Sequence, residues 1–173
     1  MLGAILTDTL LFKSPTTTSE DRKVAAELAS VAEVDVQALG TELIRRASDV
    51  SHRGARELVT GDFKEFRLDD LHFGVAVIET GDDEAVLARR DELHRAMREL
   101  RGAEYTSMLL VVTDVVNERT TVLVEGHSSA VAQALGGELL DDAIALPGVY
   151  SRKKQIVPAL PRIREALRRS RGD

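Results

Sequence analysis

Apolar and polar positions change period several times along the chain. Gly3-Ala4-Ile5-Leu6 is a short apolar run closed by Thr7-Asp8-Thr9 and reads as a strand. A strand opening at the first residues lacks neighbours to pair with, so residues 1–12 are expected to be mobile or held by another copy. Lys13-Ser14-Pro15-Thr16-Thr17-Thr18 is a polar, proline-containing loop. Thr17 with Glu20 fits a capping box, and Val24, Leu28 and Val31 then recur at helical spacing. Asp35 caps a second amphipathic helix bearing Val36, Leu39, Leu43, Ala47 and Val50 on one face. A short third helix is predicted around Ala55–Val59.

The period then shifts towards two. Phe63–Leu68 and Leu71–Glu79 read as the strands of a hairpin turned at Asp69-Asp70. Asp82, Asp83 and Glu84 open one long helix with Val86, Leu93, Met97 and Leu100 on its apolar face. Its early acids and its late Arg98 and Arg101 suit the helix dipole, and Gly102 ends it. Ser107–Val116 is almost continuously apolar, as in a central strand buried on both faces. Asn117-Glu118 turns into a strand at Thr120–Val124, and Ser128 caps a short helix ending at Gly136-Gly137. Alternating strands and helices predict an α/β class with a mixed β-sheet flanked by helices.

Composition narrows the reading. The 173 residues suffice for one domain with a real core. Hydrophobic residues at 43% and charged residues at 30% exclude disorder. No apolar run approaches the ~18 residues of a membrane span, and the start lacks a secretory signal pattern, so a cytoplasmic location fits and no membrane partner is expected. The absence of cysteine excludes disulfide frameworks, thiolate zinc sites and thiol nucleophiles. The net charge of −6 argues against general nucleic-acid binding, but the charge is uneven. Residues 152–173 carry eight cations and two acids, a net +6 that leaves −12 on the rest. An acidic body with one basic end suggests a local anion site; a solvated basic helix is the plainer account of residues 162–171.

The informative stretch is Leu146-Pro147-Gly148-Val149-Tyr150-Ser151-Arg152-Lys153-Lys154-Gln155. Ser151 is a good N-cap, which predicts a helix from Arg152. Three cations then stand at the positive end of the dipole, an unfavourable arrangement unless an anion occupies the spot. Free backbone N–H groups together with Arg and Lys suit phosphate; a solvated basic turn is the alternative. Lysine is scarce, five against eighteen arginines. Lys64, Lys153 and Lys154 therefore draw notice as places where a compact charge is wanted.

Ser151-Arg152-Lys153-Lys154-Gln155-Ile156-Val157-Pro158 resembles the C-terminal signature of manganese-dependent (family II) inorganic pyrophosphatases, in the DHHA2 domain of the DHH phosphoesterase superfamily. Gly3 to Thr16 resembles the segment ending that family's catalytic domain. Phe63-Lys64-Glu65-Phe66 and Leu109-Leu110-Val111-Val112-Thr113-Asp114 match in order and spacing. The resemblance implies a two-domain enzyme hydrolysing pyrophosphate to two phosphates in the cleft between its domains. A DHH domain would hold the manganese that activates water, and the DHHA2 domain would close over the substrate with basic residues. It further implies that Arg152, Lys153 and Lys64 bind phosphate oxygens and that Asp8 is a metal ligand. Residues 1–18 would be the tail of the DHH domain and a linker, and 19–173 the DHHA2 domain. Without the resemblance, Asp8 is a turn cap and Lys64 a solvent-facing strand residue.

The family's upstream metal-binding motifs, including its Asp-His-His triplet, are absent from this sequence. His52, His72, His94 and His127 are scattered without ligand spacing, and Asp8 alone cannot hold a two-metal cluster. The chain is therefore expected to be inactive by itself and to need a DHH catalytic domain as partner. Two alternatives stand beside this: the same module of an exopolyphosphatase acting on longer chains, or a non-catalytic polyanion-binding module using residues 162–173.

Overall fold

The computed structural model describes residues 1–14, 16–147 and 152–170. The loop expectation at Pro15 and the N-cap expectation at Ser151 fall outside the described residues, as does the end of the basic tail from residue 171.

The chain opens with three helices, α1 (Leu2–Asp8), α2 (Ser19–Ala32) and α3 (Val36–Ala47). The strand expected at Gly3–Leu6 is a helix. Leu2, Ile5 and Leu6 lie on one side of it and pack against Leu11, Ala25 and Ile44, with Leu6 fully buried. Residues 1–12 are thus seated within their own chain, contrary to the expectation that they are mobile or held by another copy. Val115 and Val116 join this cluster from the sheet side. The capping box of α2 is formed one residue later than expected. Thr18 Oγ1 accepts from the Asp21 N–H (3.1 Å) and the Asp21 carboxylate accepts from the Thr18 N–H (2.8 Å). The buried stripe of α2 is correspondingly rotated to Ala25 and Ala29, which leaves Val31 85% exposed. Asp35 caps α3 as expected, accepting from the Ala38 N–H at 2.7 Å.

After α4 (Ala55–Gly61) come β1 (Phe63–Leu68) and β2 (Leu71–Thr80) as the expected hairpin, with Asp69 left-handed in its turn. The single long helix expected from Asp82 is two, α5 (Asp83–Leu87) and α6 (Arg90–Arg101). The break falls where Arg89 turns inward to donate to the carbonyls of Val50 (3.4 Å) and Arg53 (2.9 Å). β3 (Ser107–Asp114) is buried at every residue, as its continuous apolar run demands. β4 (Arg119–Glu125) follows, then α7 (Ser128–Leu135), which is preceded by His127 rather than Ser128 in the cap position. The short strands β5 (Glu138–Leu140) and β6 (Ala143–Pro147) were not foreseen. The basic segment is continuous helix: a π-helical turn at Arg152–Ile156, a 3₁₀ turn at Val157–Ala159 and α8 (Leu160–Ser170).

The six strands form one mixed sheet in the order β1-β2-β3-β4-β6-β5. β2 and β3 are parallel, joined across α5 and α6, and every other neighbouring pair is antiparallel. Side-chain alternation divides the core between two faces. One face presents Val75, Leu109, Val111, Val122 and Ile144 to α7, Ile156 and α8. The other presents Ala76, Ile78, Leu110, Val112 and Leu123 to α4 and α6. Each fully buried Leu or Val here contributes about 1.5–3 kcal/mol relative to exposure. No helix among the described residues is long and apolar enough to cross a membrane.

Candidate anion-binding site

The basic helix is seated by its apolar positions. Ile156, Leu160 and Ile163 are buried on the sheet face formed by Val75 and Leu109. This docking brings Arg152, one turn before Ile156, to the outer edge of the sheet at the start of β1. There its Nη1 donates to the Asp62 carbonyl at 2.7 Å and, at 3.4 Å, to the Val75 carbonyl. Its Nη2 donates to Asp62 Oδ1 at 2.7 Å. The Arg152 side chain keeps only 12% of its exposure, so it is not a solvated charge. Lys153 and Lys154 in the same turn are exposed. Further along, Arg164 donates to Asp69 Oδ2 at 2.6 Å, fixing α8 to the hairpin turn as well.

Lys64 lies two residues beyond Asp62 and is paired across the hairpin with Val75, the residue whose carbonyl Arg152 approaches. By strand alternation it shares a face with Phe66 and Leu68, which pack into the cluster that holds Ile156 and Leu160. Strand alternation thus puts Lys64 on the helix-covered side of the edge strand, and Arg152, 88 residues away in sequence, is anchored to the same strand end through Asp62 and Val75. Arg152 has five N–H donors, and among the described contacts Asp62 and Val75 engage only its Nη atoms, which leaves Nε–H and one Nη2 N–H. Backed by the exposed ammonium groups of Lys64 and Lys153, this edge offers several cationic donors and few apolar contacts, which suits a small multiply charged oxyanion.

On the opposite face of β1, Glu65 accepts from the Tyr105 hydroxyl (2.6 Å) and lies 3.2 Å from His72 Nε2, with His72 and Tyr105 stacked. These bonds, that from Tyr105 foremost, lower the Glu65 carboxyl below its ordinary range. Burial, then the Glu65 contact, raises the Tyr105 hydroxyl to about 12. The group pins β1 from below while Arg152 pins it from above.

Asp8 does not join this site. It is exposed at the end of α1, a helix that packs on α2 and α3. Among the described residues, no three His, Cys, Asp or Glu side chains converge as metal ligands. A lone exposed carboxylate does not by itself hold a manganese cluster, and the described residues around Asp8 add no further ligand set.

A family model, the DHHA2 domain, matches residues 41–163. The chain belongs to the DHHA2 domain family. The matched span includes both Lys64 and Arg152 and excludes Asp8. Among curated relatives of this DHHA2 chain, one from Staphylococcus carnosus is 41% identical over 92% of the chain and 53% of its own length. One from Staphylococcus aureus strain JH9 is 39% identical over 96% of the chain and 54% of its own length. Both are assigned as manganese-dependent inorganic pyrophosphatases. A crystal structure from Methanococcus jannaschii, assigned as a family II inorganic pyrophosphatase, superposes with a TM-score of 0.66 at 32% identity, covering 94% of this chain and 53% of that one. The chain thus spans about half the length of the relatives it matches.

Sequence reasoning missed Asp62, the partner of Arg152. A lone acid between a helix end and a strand is unremarkable locally, and its contact becomes visible only once the basic helix is docked. It also missed the ion cluster at the far end of the sheet, where Arg119 donates to Asp83 at 2.6 Å and lies 3.9 Å from Asp114. There burial raises the Asp83 carboxyl despite the opposing Arg119. The Asp114 carboxyl is pushed up by burial but lowered on balance by hydrogen bonds from Asn117 and Val116.

Proposed function

We propose that this chain is the substrate-binding half of a manganese-dependent inorganic pyrophosphatase, gripping phosphate oxygens with Arg152, Lys153 and Lys64. The observation that carries the reading is Arg152: a largely buried guanidinium fixed over the edge strand that bears Lys64. A fixed guanidinium binds two phosphate oxygens at lower entropic cost than a solvated one, and the flanking lysines add charge without geometric demand. Pyrophosphate has no apolar handle, so charge-assisted hydrogen bonds must supply almost all of its binding. The relatives' names and the extent of the match support the same substrate.

In this reading residues 1–18 belong to the end of a DHH domain and its linker, and the cleft is completed by that domain, which supplies manganese and the attacking water. The DHHA2 chain orients the anion and neutralises its charge; it takes no part in moving protons. Phosphoryl transfer to water depends mainly on positioning and charge neutralisation, which is the share these cations provide.

The test is calorimetric titration of the chain with inorganic pyrophosphate at low salt. Weak binding that falls as salt rises is expected. Arg152→Ala and Lys64→Ala should each reduce affinity by about tenfold or more. Undiminished affinity in Arg152→Ala would sink the site. Phosphate release from pyrophosphate with manganese present should be negligible for the chain alone and should appear when a DHH domain is supplied in trans.

A further inference from the structure

The two short hydrogen bonds of the Arg152 clamp go to two different parts of one residue, with the Val75 carbonyl a longer third acceptor at 3.4 Å. The Asp62 main-chain carbonyl takes Nη1 and the Asp62 carboxylate takes Nη2, both at 2.7 Å. The carbonyl is itself fixed, because it also accepts the Val77 N–H at 3.1 Å across the hairpin. The carboxylate is the acceptor that engages Nη2 and so fixes the plane of the guanidinium, whereas the Asp62 and Val75 carbonyls both take Nη1 and leave rotation about that end less constrained. The Asp62 side chain remains 57% exposed, so it stands at the solvent-facing rim where an anion would arrive.

We infer that Asp62 is a positioning residue for the phosphate site, holding the Arg152 guanidinium so that its outward N–H groups face the oxyanion beside Lys64; this rests on the reading of Arg152 as a phosphate ligand. A carboxylate at the rim of an anion site is costly in charge, since it repels the ligand and partly neutralises Arg152. Its placement is worthwhile only where the gain in orientation exceeds that repulsion. The two effects have opposite signs on removal of the carboxylate, and this makes the role measurable. Loss of repulsion alone tightens anion binding, while loss of orientation weakens it.

The experiment is titration of the 173-residue chain with inorganic pyrophosphate, comparing the unaltered protein with Asp62→Ala, Asp62→Asn and Arg152→Ala, with circular dichroism and melting curves for each. Asp62→Ala should weaken binding by about tenfold even though a negative charge has been removed. Asp62→Asn, whose amide oxygen still accepts from Nη2, should recover part of that loss. A merely structural contact would not produce this ordering in variants that melt alike. Should Asp62→Ala prove too unstable to titrate, Asp62→Ser, too short to reach the guanidinium, takes its place with the same expected loss. Equal or tighter binding in Asp62→Ala, with binding still lost in Arg152→Ala, would overturn the inference and make Asp62 a competitor for the guanidinium. Equal binding by Arg152→Ala and the unaltered chain, or none by the unaltered chain, would instead overturn the function reading and this inference with it.

Discussion

Gly40 lies inside α3, where glycine is about 1 kcal/mol less favourable than alanine, so propensity alone predicts that Gly40→Ala stabilises the protein. The packing predicts the reverse. A Cβ at Gly40 would fall on Leu11 Cδ2, 2.7 Å from its Cγ and 3.3 Å from its Cδ1. Leu11 is the middle of three successive left-handed residues, with φ of 47° at Leu10, 54° at Leu11 and 66° at Phe12. That conformation costs about 1–2 kcal/mol per L-residue. The turn is held by burial of Leu11, by its N–H on the Leu6 carbonyl (2.9 Å) and by Arg22, which donates to the Phe12 carbonyl (3.0 Å). Expelling Leu11 forfeits about 1.5–3 kcal/mol of burial, against which the propensity gain offsets about 1, leaving a net loss of about 0.5–2 kcal/mol. For a chain of this size the melting temperature should fall by about 1–8 °C. Thermal and urea unfolding of Gly40→Ala, Leu11→Ala and the double variant measure this directly. With Leu11 truncated, the added methyl has room and Gly40→Ala should become stabilising by about 1 kcal/mol. A higher melting temperature for Gly40→Ala in the unaltered chain would refute the reasoning.

Other expectations concern titration and the basic helix. In a Tyr150→Phe background, Tyr105 absorbance at 295 nm should rise only as the pH approaches about 12. Because the folded value is raised, the stabilisation is complete below the ordinary tyrosine range near 10 and is lost as pH climbs from there; titration near 10 would contradict it. Glu65 has the opposite sign. Its lowered value gives stability that is present above 4.5 and lost as pH falls through the folded value, so Glu65→Gln should flatten the acid limb of a melting-temperature profile. Leu110→Ala, at a fully buried position of β3, should cost about 2–5 kcal/mol in urea unfolding. Deleting residues 162–173 would strip Ile163 and Leu167 from the core, so the polyanion-module alternative is better tested with Arg169→Gln at an exposed position. Pyrophosphate affinity within about twofold of the unaltered chain is expected, since exposed charges are screened; a tenfold loss would favour that alternative.

What was legible in the sequence was what repeats. The continuous apolar run of Ser107–Asp114, the alternation of Phe63–Leu68 and the acid cap at Asp35 each state their structure within a few residues. What escaped depends on distant partners. Gly3–Leu6 is too short to separate helix from strand by pattern, and becomes helical because Leu6 fits against Ala25 and Ile44. The break at Arg89 depends on carbonyls of Val50 and Arg53, on another segment of the chain. β5 and β6 are so brief that pairing, of β6 with β4 and of β5 with β6, makes them strands, rather than their own composition. The basic turn was conspicuous as an excess of charge at the wrong end of a helix, whereas the acid that orients it was hidden by distance.

The helix that carries Arg152 grips the β1–β2 hairpin at two points, Asp62 through Arg152 and Asp69 through Arg164, the two arginines standing twelve residues or roughly 18 Å apart along the helix. β1 is an outermost strand, hydrogen-bonded on one side only, and such strands are ordinarily the first part of a sheet to fray. Strapped at both ends, it opens only when the helix lifts. Backbone amides of β1 and of α8 should therefore exchange with deuterium at a common rate, as one cooperative unit, and binding of an anion at one end of the strap would slow exchange at the other.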